Sequence, residues 1–295
     1  MRRTLRFATP LLCFLIMAAP AGCFAQAKAA PRTPDVIYVP TPPEVVEEML
    51  KLADVKKGDV LYDLGSGDGR IAVAAAKKYG IRAVGIDIDP QRIREANENA
   101  KKAGVEDLVK FRNEDLFKAD FREATVVTLY LLPDLNVKLR PRLWNELKPG
   151  TRIVSHDGGI ADWPADETLE MRTPEKPVGV GGRSKVELWI VPANAAGAWS
   201  SELPSHGGAW RFRIDQHYQV LEAKVSTEGR DLLVRNSRLR GEEIKLIVTG
   251  VVGPRPWHHY FVGTVRGDRI DGQLTVSNGT NVRTLPWVAT RSALK

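Results

Sequence analysis

The chain has 295 residues and only two cysteines, Cys13 and Cys23, both within the first 27 positions. Everything after them is therefore without a disulfide, a thiolate nucleophile or a cysteine metal site. Such a chain suits an oxidising compartment, where a free thiol is a liability. Histidine is also sparse, with five residues. The pair His258-His259 has no evident third ligand, so no metal site is expected. The apolar run from Phe7 to Ala19 is too short for a comfortable membrane span. The sequence also has no Gly-Lys-Ser/Thr turn, which excludes a P-loop.

No strong excess of one charge runs through the chain. Residues 28–197 carry 26 Lys/Arg against 27 Asp/Glu, whereas residues 198–295 carry 14 against 9. A near-neutral central region argues against nucleic acid as a partner, because phosphate binding needs a concentrated basic face. The basic excess of the C-terminal part reads as solubility or as a surface for an acidic partner or a membrane. At the amino end, Arg2, Arg3 and Arg6 precede the short apolar run, and small residues end in Ala25-Gln26-Ala27. This pattern predicts a signal peptide over 1–27 with cleavage after Ala27. A lipid-anchored Cys23 and an uncleaved anchor are the alternatives. All three imply an exported protein, periplasmic or membrane-associated, rather than a cytoplasmic one.

What the chain does have is residues 59–70, DVLYDLGSGDGR. A short apolar strand breaks at Gly65-Ser66-Gly67-Asp68-Gly69 and re-enters a helix at Ile71. Glycines at such a turn take positive φ and let a ligand approach the backbone. The helix behind them offers free N–H groups and a partial positive charge. A nicotinamide site prefers GxGxxG; here the spacing is GxGxG, and Asp63 stands before the first glycine. That acid repels a pyrophosphate but suits an ammonium. S-adenosylmethionine carries an ammonium and a cationic sulfur. The next strand, from Arg82, ends at Asp87, placed to accept from both ribose hydroxyls. Asp115, after strand Val109–Phe111, is placed to accept from an adenine amino group. A fourth strand, Thr125–Tyr130, ends in Leu131-Leu132-Pro133, where a methyl acceptor enters. Asp89-Pro90 reads equally as a helix cap.

These segments resemble the class I methyltransferases. Together with YVPTP at 38–42, GIDIDP at 85–90, EDLF at 114–117, TLYLLPDLN at 128–136 and ELKPGTRIVSHD at 146–157, they are most similar to the ATP synthase c-subunit lysine N-methyltransferase family and its bacterial relatives. The resemblance implies a seven-stranded doubly wound α/β sheet, S-adenosyl-L-methionine as cofactor, and methyl transfer to a protein lysine. It also implies an N-terminal segment, with Tyr38 and Thr41, that folds over the cofactor. The expected cofactor set is Tyr38, Thr41, Asp63, Gly65, Ser66, Gly67, Gly69, Asp87, Ile88, Asp115, Leu116 and Leu131. Tyr130, His156 and Asp157 stand at strand ends on the ligand side and are weak candidates for a catalytic base. An Asn/Asp-Pro-Pro-aromatic tetrad is absent, which argues against methylation of adenine. A small-molecule methyltransferase and a non-catalytic envelope binding protein are the rival functions.

The pattern predicts a Pro/Ala-rich flexible leader over 28–40 and a methyltransferase domain over 41–192. In that domain strands and helices alternate, an amphipathic helix spans Glu44–Leu52, and Val186–Val191 forms an edge strand. The Pro174–Arg183 stretch reads as a loop, and 193–208, rich in Ala, Gly, Ser and Pro, as a linker. Over 209–295 the period changes to short strands with Gly turns. This predicts an all-β meander or small barrel, with Trp210, Trp257 and Trp287 in its core and segments 208–210 and 287–291 plugging its ends.

Overall fold

A computed structural model describes residues 33–176, 182–204, 208–252 and 255–292. The segment expected to direct export and part of the 174–183 loop lie outside these.

The first half is a seven-stranded sheet of order β3-β2-β1-β4-β5-β7-β6. Its parallel strands are β1 (Val60–Leu64), β2 (Arg82–Asp87), β3 (Val109–Asn113), β4 (Val126–Leu129) and β5 (Arg152–His156). Strand β7 (Arg183–Ile190) runs antiparallel to β5 and pairs on its other side with β6 (Glu167–Arg172). Strand β7 is thus interior, and β6 is the edge. The expectation of an edge strand at Val186–Val191 fails because the real edge, ETLEMR, is polar and half-exposed and carries no apolar signal.

Among the described residues four helices accompany the sheet. Helix α1 (Pro43–Leu52) buries Val45, Val46, Met49 and Leu50. Helix α2 (Arg70–Tyr79) packs its alanine face on the sheet and ends at left-handed Gly80. Helix α3 (Pro90–Ala103) is capped by Asp89, whose carboxylate accepts from Gln91 N at 2.8 Å. Helix α4 (Pro133–Glu146) starts eight residues before Pro141, which it accommodates internally. Strict alternation of strand and helix does not hold. Among the described residues no helix joins β3 to β4 or β5 to β6.

The second half is a closed eight-stranded antiparallel barrel of order β10-β11-β12-β13-β14-β15-β8-β9. Its strands are β8 (Gly197–Leu203), β9 (Gly208–His217), β10 (Val220–Thr227), β11 (Arg230–Arg240), β12 (Glu243–Val252), β13 (Arg255–Arg266), β14 (Arg269–Ser277) and β15 (Val282–Arg291). The segment read as a linker therefore contains β8. This strand closes the barrel against β15 through Thr290↔Ser200 and Arg291↔Trp199. Segments 208–210 and 287–291 are strand rather than plug. Trp199, Trp210 and Trp287 are buried, and Phe261 stacks edge-on to Trp287 at 4.9 Å. Trp257 is only half-buried.

The two halves meet through aromatics. The β9–β10 turn carries Tyr218, whose ring stacks on Trp163 at 5.1 Å and meets Trp144 of α4 edge-on at 5.0 Å. Gln219 accepts from Trp163 Nε1 at 3.0 Å, and Trp189 Nε1 donates to the Trp163 carbonyl at 2.9 Å.

Candidate active site

The parallel strands end at one edge of the sheet, and the chain's chemistry collects there. Leaving β1, Gly65 (φ 85°) and Gly67 (φ 52°) adopt left-handed conformations that few side chains tolerate. The amides of Gly65 and Ser66 donate to the Ile86 carbonyl at 2.8 and 2.9 Å, which binds the turn to the end of β2. Asp87 then fixes the turn from below. Its Oδ2 accepts from Gly67 N at 2.8 Å and its Oδ1 from Asp89 N at 2.9 Å. Gly69 (φ 77°) caps α2 and packs on Phe111 and Ala96.

Above this turn lies a cavity of about 320 Å³. Tyr38, Thr41, Asp63, Gly65, Ser66, Gly67, Asp87, Ile88, Asp115, Leu116 and Leu131 all line it, as does Tyr130. Of the expected cofactor set, only Gly69 lies off the wall, holding the helix end instead. The leader read as flexible over 28–40 is, from Pro34 onward, part of this wall. Its attachment comes from residues distant in sequence. A Cβ on Gly67 would lie 2.4 Å from Tyr38 Cε2, so the tyrosine ring rests on that glycine. Arg70 and Arg92 also line the cavity and reach the same segment, a role that sequence reasoning missed.

His156 and Asp157 are not brought to the cavity. His156 is fully buried, with Nε2 3.0 Å from Ser184 Oγ and Nδ1 3.4 Å from Thr41 Oγ1. Burial pulls its pKa down to about 4, against the attraction of nearby Asp157. It is neutral and already engaged at physiological pH. The Asp157 carboxylate pairs with Lys176 and accepts from Lys185 N at 2.8 Å. Tyr130 stacks on His156 with ring centroids 4.0 Å apart, and burial raises its pKa, so its hydroxyl keeps its proton.

Asp63 is the group whose situation calls for a ligand. It is 2 % exposed, and Oδ1 accepts from Thr128 Oγ1 at 2.8 Å. Its Oδ2 is buried and has no partner, and neither does Ser66 Oγ beside it. Desolvation, with the neighbouring Asp87 and Asp68 charges, lifts its pKa to about 7 against the Thr128 hydrogen bond. A buried carboxylate with an orphaned oxygen is a costly arrangement that a bound cation relieves. S-adenosylmethionine fits: Asp63 faces the cavity for its ammonium, Asp87 for its hydroxyls, and the glycine turn gives the close approach. When bound, it supplies a methyl group on an electrophilic sulfonium. The chain's own residues exclude water with Leu131, Leu135 and Phe117, and leave Tyr130 as a neutral phenol at the mouth.

His258 and His259 do not stand as a pair. His258 Nδ1 lies 3.0 Å from Thr249 Oγ1 on the barrel wall, and His259 is buried 5.0 Å from the Trp210 ring.

Known proteins similar to this chain are methyltransferases. A family model described as the ANTKMT methyltransferase domain matches residues 63–167. A protein-lysine N-methyltransferase of Saccharolobus islandicus is 48% identical over 139 residues, covering 47% of this chain and 86% of that protein. The human lysine N-methyltransferase of the ATP synthase c-subunit is 33% identical over 129 residues, 44% of this chain. The chain spans 54% of that human protein. Among solved structures, an RNA methyltransferase from Salinibacter ruber in complex with S-adenosyl-L-homocysteine is 54% identical, covering 53% of this chain and 95% of that one, with a TM-score of 0.48. With its glycine turn, its orphaned carboxylate and a relative matched over most of its length, the chain belongs to the class I S-adenosylmethionine-dependent methyltransferases, in the family of the Saccharolobus islandicus enzyme.

Proposed function

We propose that this methyltransferase acts on the ε-amino group of lysine in a protein. The observation that carries the reading is the 48% identity to a protein-lysine N-methyltransferase across 86% of that relative. The mouth of the cavity supports it. Tyr130, Leu131 and Ile37 line the cavity, and Ile37 and Leu132, the residue after Leu131, stand 79% and 58% exposed. A lysine must enter as the free amine, because the ammonium has no lone pair for in-line attack on the methyl. An apolar wall disfavours the charged form. Tyr130, which lines the cavity, stays protonated and so aligns the amine rather than deprotonating it, while His156 is occupied behind it.

The test incubates the purified chain with methyl-labelled S-adenosylmethionine and a cell extract, then separates protein, RNA and small-molecule fractions. Label in protein, recovered as methyl-lysine after hydrolysis, is expected. Label in the RNA or small-molecule fraction with none in protein overturns the reading. We further propose export with cleavage after Ala27, which rests on the Arg-rich start and the Ala-Gln-Ala site. Amino-terminal sequencing of the protein isolated from cells should begin at Lys28; retention of Met1 contradicts it.

A further inference from the structure

We propose that Arg70 is a positioning residue, whose guanidinium ties residues 38–41 across the glycine turn as a strap that holds the cofactor in its cavity. The inference rests on S-adenosylmethionine as cofactor and is independent of the methyl acceptor.

Residues 33–42 belong to no helix or strand, so side-chain attachments decide whether this segment stays on the cavity. Arg70 supplies two of them from a fixed fork. Its Nε and Nη2 grip Asp68 at 3.0 and 2.7 Å, which sets the plane of the guanidinium. Its Nη1 donates to the Thr41 carbonyl at 2.9 Å, and Nη2 lies 3.4 Å from the Tyr38 hydroxyl. Arg92 of α3 sits over the Tyr38 ring, 4.6 Å from its centroid. Thr41 Oγ1 in turn faces His156 Nδ1. Only a planar guanidinium directs donors to a carboxylate, a carbonyl and a phenol at once; a lysine ammonium lacks that fork. The carboxylate of Asp68 is the anchor, and the strap is the load. Because Tyr38 rests on Gly67 next to Asp63, a strap held down encloses a bound amino-acid end, and a strap released exposes it to water.

The experiment measures release of S-adenosylhomocysteine by stopped-flow displacement, with melting temperature as the control for folding. Arg70→Met should speed release about tenfold or more, as expected for lost charge-assisted hydrogen bonds, with melting within a few degrees of the parent. Arg70→Lys should recover only part of the loss. In a Tyr38→Ala background the strap is already loose, so adding Arg70→Met should change release less than about threefold. Release at the parent rate in Arg70→Met overturns the proposal. So do fully multiplicative effects of the two substitutions, which mean that Arg70 acts without the strap. If Arg70→Met does not fold, Arg92→Met loosens the same tyrosine from the other side. Faster release then supports the strap, and an unchanged rate overturns it.

Discussion

Replacing Asp63 with asparagine should weaken cofactor binding and strengthen the fold at the same time. In the ligand-free protein the Asp63 carboxyl holds its proton up to about pH 7, chiefly because it is buried and has only Thr128 as a donor. An unfolded chain releases that proton near pH 4. Between these values the folded state binds one proton more than the unfolded state, so stability falls as pH rises through the window. The cost at neutral pH amounts to roughly 4 kcal/mol. Asparagine keeps the Thr128 contact and never ionises, so the variant should be more stable than the parent above pH 7 and no different below pH 4. Urea unfolding at pH 4, 7 and 8 checks this.

Binding has the opposite sign. The cofactor ammonium needs the carboxylate, so below pH 7 each binding event must expel the Asp63 proton. Relative to pH 7.5, the dissociation constant should rise about eightfold at pH 6 and about 25-fold at pH 5.5 by proton linkage alone. Asp87 also has a raised pKa, mainly through burial, and adds in the same direction at lower pH. The Asp63→Asn variant isolates the larger contribution. At pH 7.5 it should bind S-adenosylmethionine about 10- to 150-fold more weakly, the range for one hydrogen bond to a charged group. Its affinity should change little between pH 7.5 and 6. Calorimetric titration gives both numbers. A variant that binds like the parent, or a parent whose affinity ignores pH, refutes Asp63 as the ammonium partner.

Gly67→Ala forces a side chain onto a φ of 52° and into Tyr38 Cε2; S-adenosylmethionine affinity, read by calorimetry, should fall by at least about tenfold. Asp87→Asn should weaken the cofactor by roughly 1–3 kcal/mol in calorimetry and also lower the melting temperature, because the amide oxygen can accept from only one of the Gly67 and Asp89 amides and its NH2 then faces the other. His156→Gln should flatten the acid limb of the stability curve. His156 is buried neutral with a folded pKa of about 4, so its contribution is complete above the ordinary histidine value and lost as pH falls from there toward 4; denaturant unfolding at pH 7 and 5 measures it. Tyr218→Ala removes the ring stacked on Trp163 and should cost about 3 kcal/mol or more, seen as a lower melting temperature.

The cofactor end was legible in the sequence because it is local. Asp63, the glycines and Asp87 act where they stand in the chain, and a strand, a turn and an acid spell the site without knowledge of the tertiary fold. The strap was legible only in part. The resemblance implied a segment with Tyr38 and Thr41 over the cofactor, yet residues 28–40 read as a flexible leader; what holds the segment is Arg70, reaching back 29 positions to the Thr41 carbonyl. Strand β8 was hidden by its composition. Alternation is present in Gly197–Leu203, with Trp199, Ser201 and Leu203 buried, but the outward Ala198 and Ser200 are small and read as linker. His156 misled for a different reason. Position at the end of β5 suggested chemistry, whereas Ser184 of β7 and Thr41 take both ring nitrogens, and neither contact is visible from the spacing.

The register of β7 also decides what the barrel can do. Since β7 is antiparallel to β5, Ile190 pairs with Arg152 at the amino end of β5, opposite the edge that carries Asp63 and Asp87. The chain enters the barrel from that far edge: Gly150 N donates to the Val191 carbonyl and Ala193 N to the Gly241 carbonyl, both at 2.8 Å. Among the described residues no barrel residue lines the cofactor cavity. Yet the joint is core-like, with Trp163 and Trp189 each 1% exposed, and an apolar joint of that kind resists the hinge motion usual between domains. The element that links barrel and site is α4. Trp144 near its end meets Tyr218 of the barrel, while at its start Asn136 Nδ2 donates to the Gly158 carbonyl at 2.9 Å, beside Leu131 and the mouth. A 14-residue helix spans about 20 Å. The barrel is therefore held at a fixed distance from the methyl-transfer mouth, and a partner bound on it would meet the mouth in one orientation rather than reshape it.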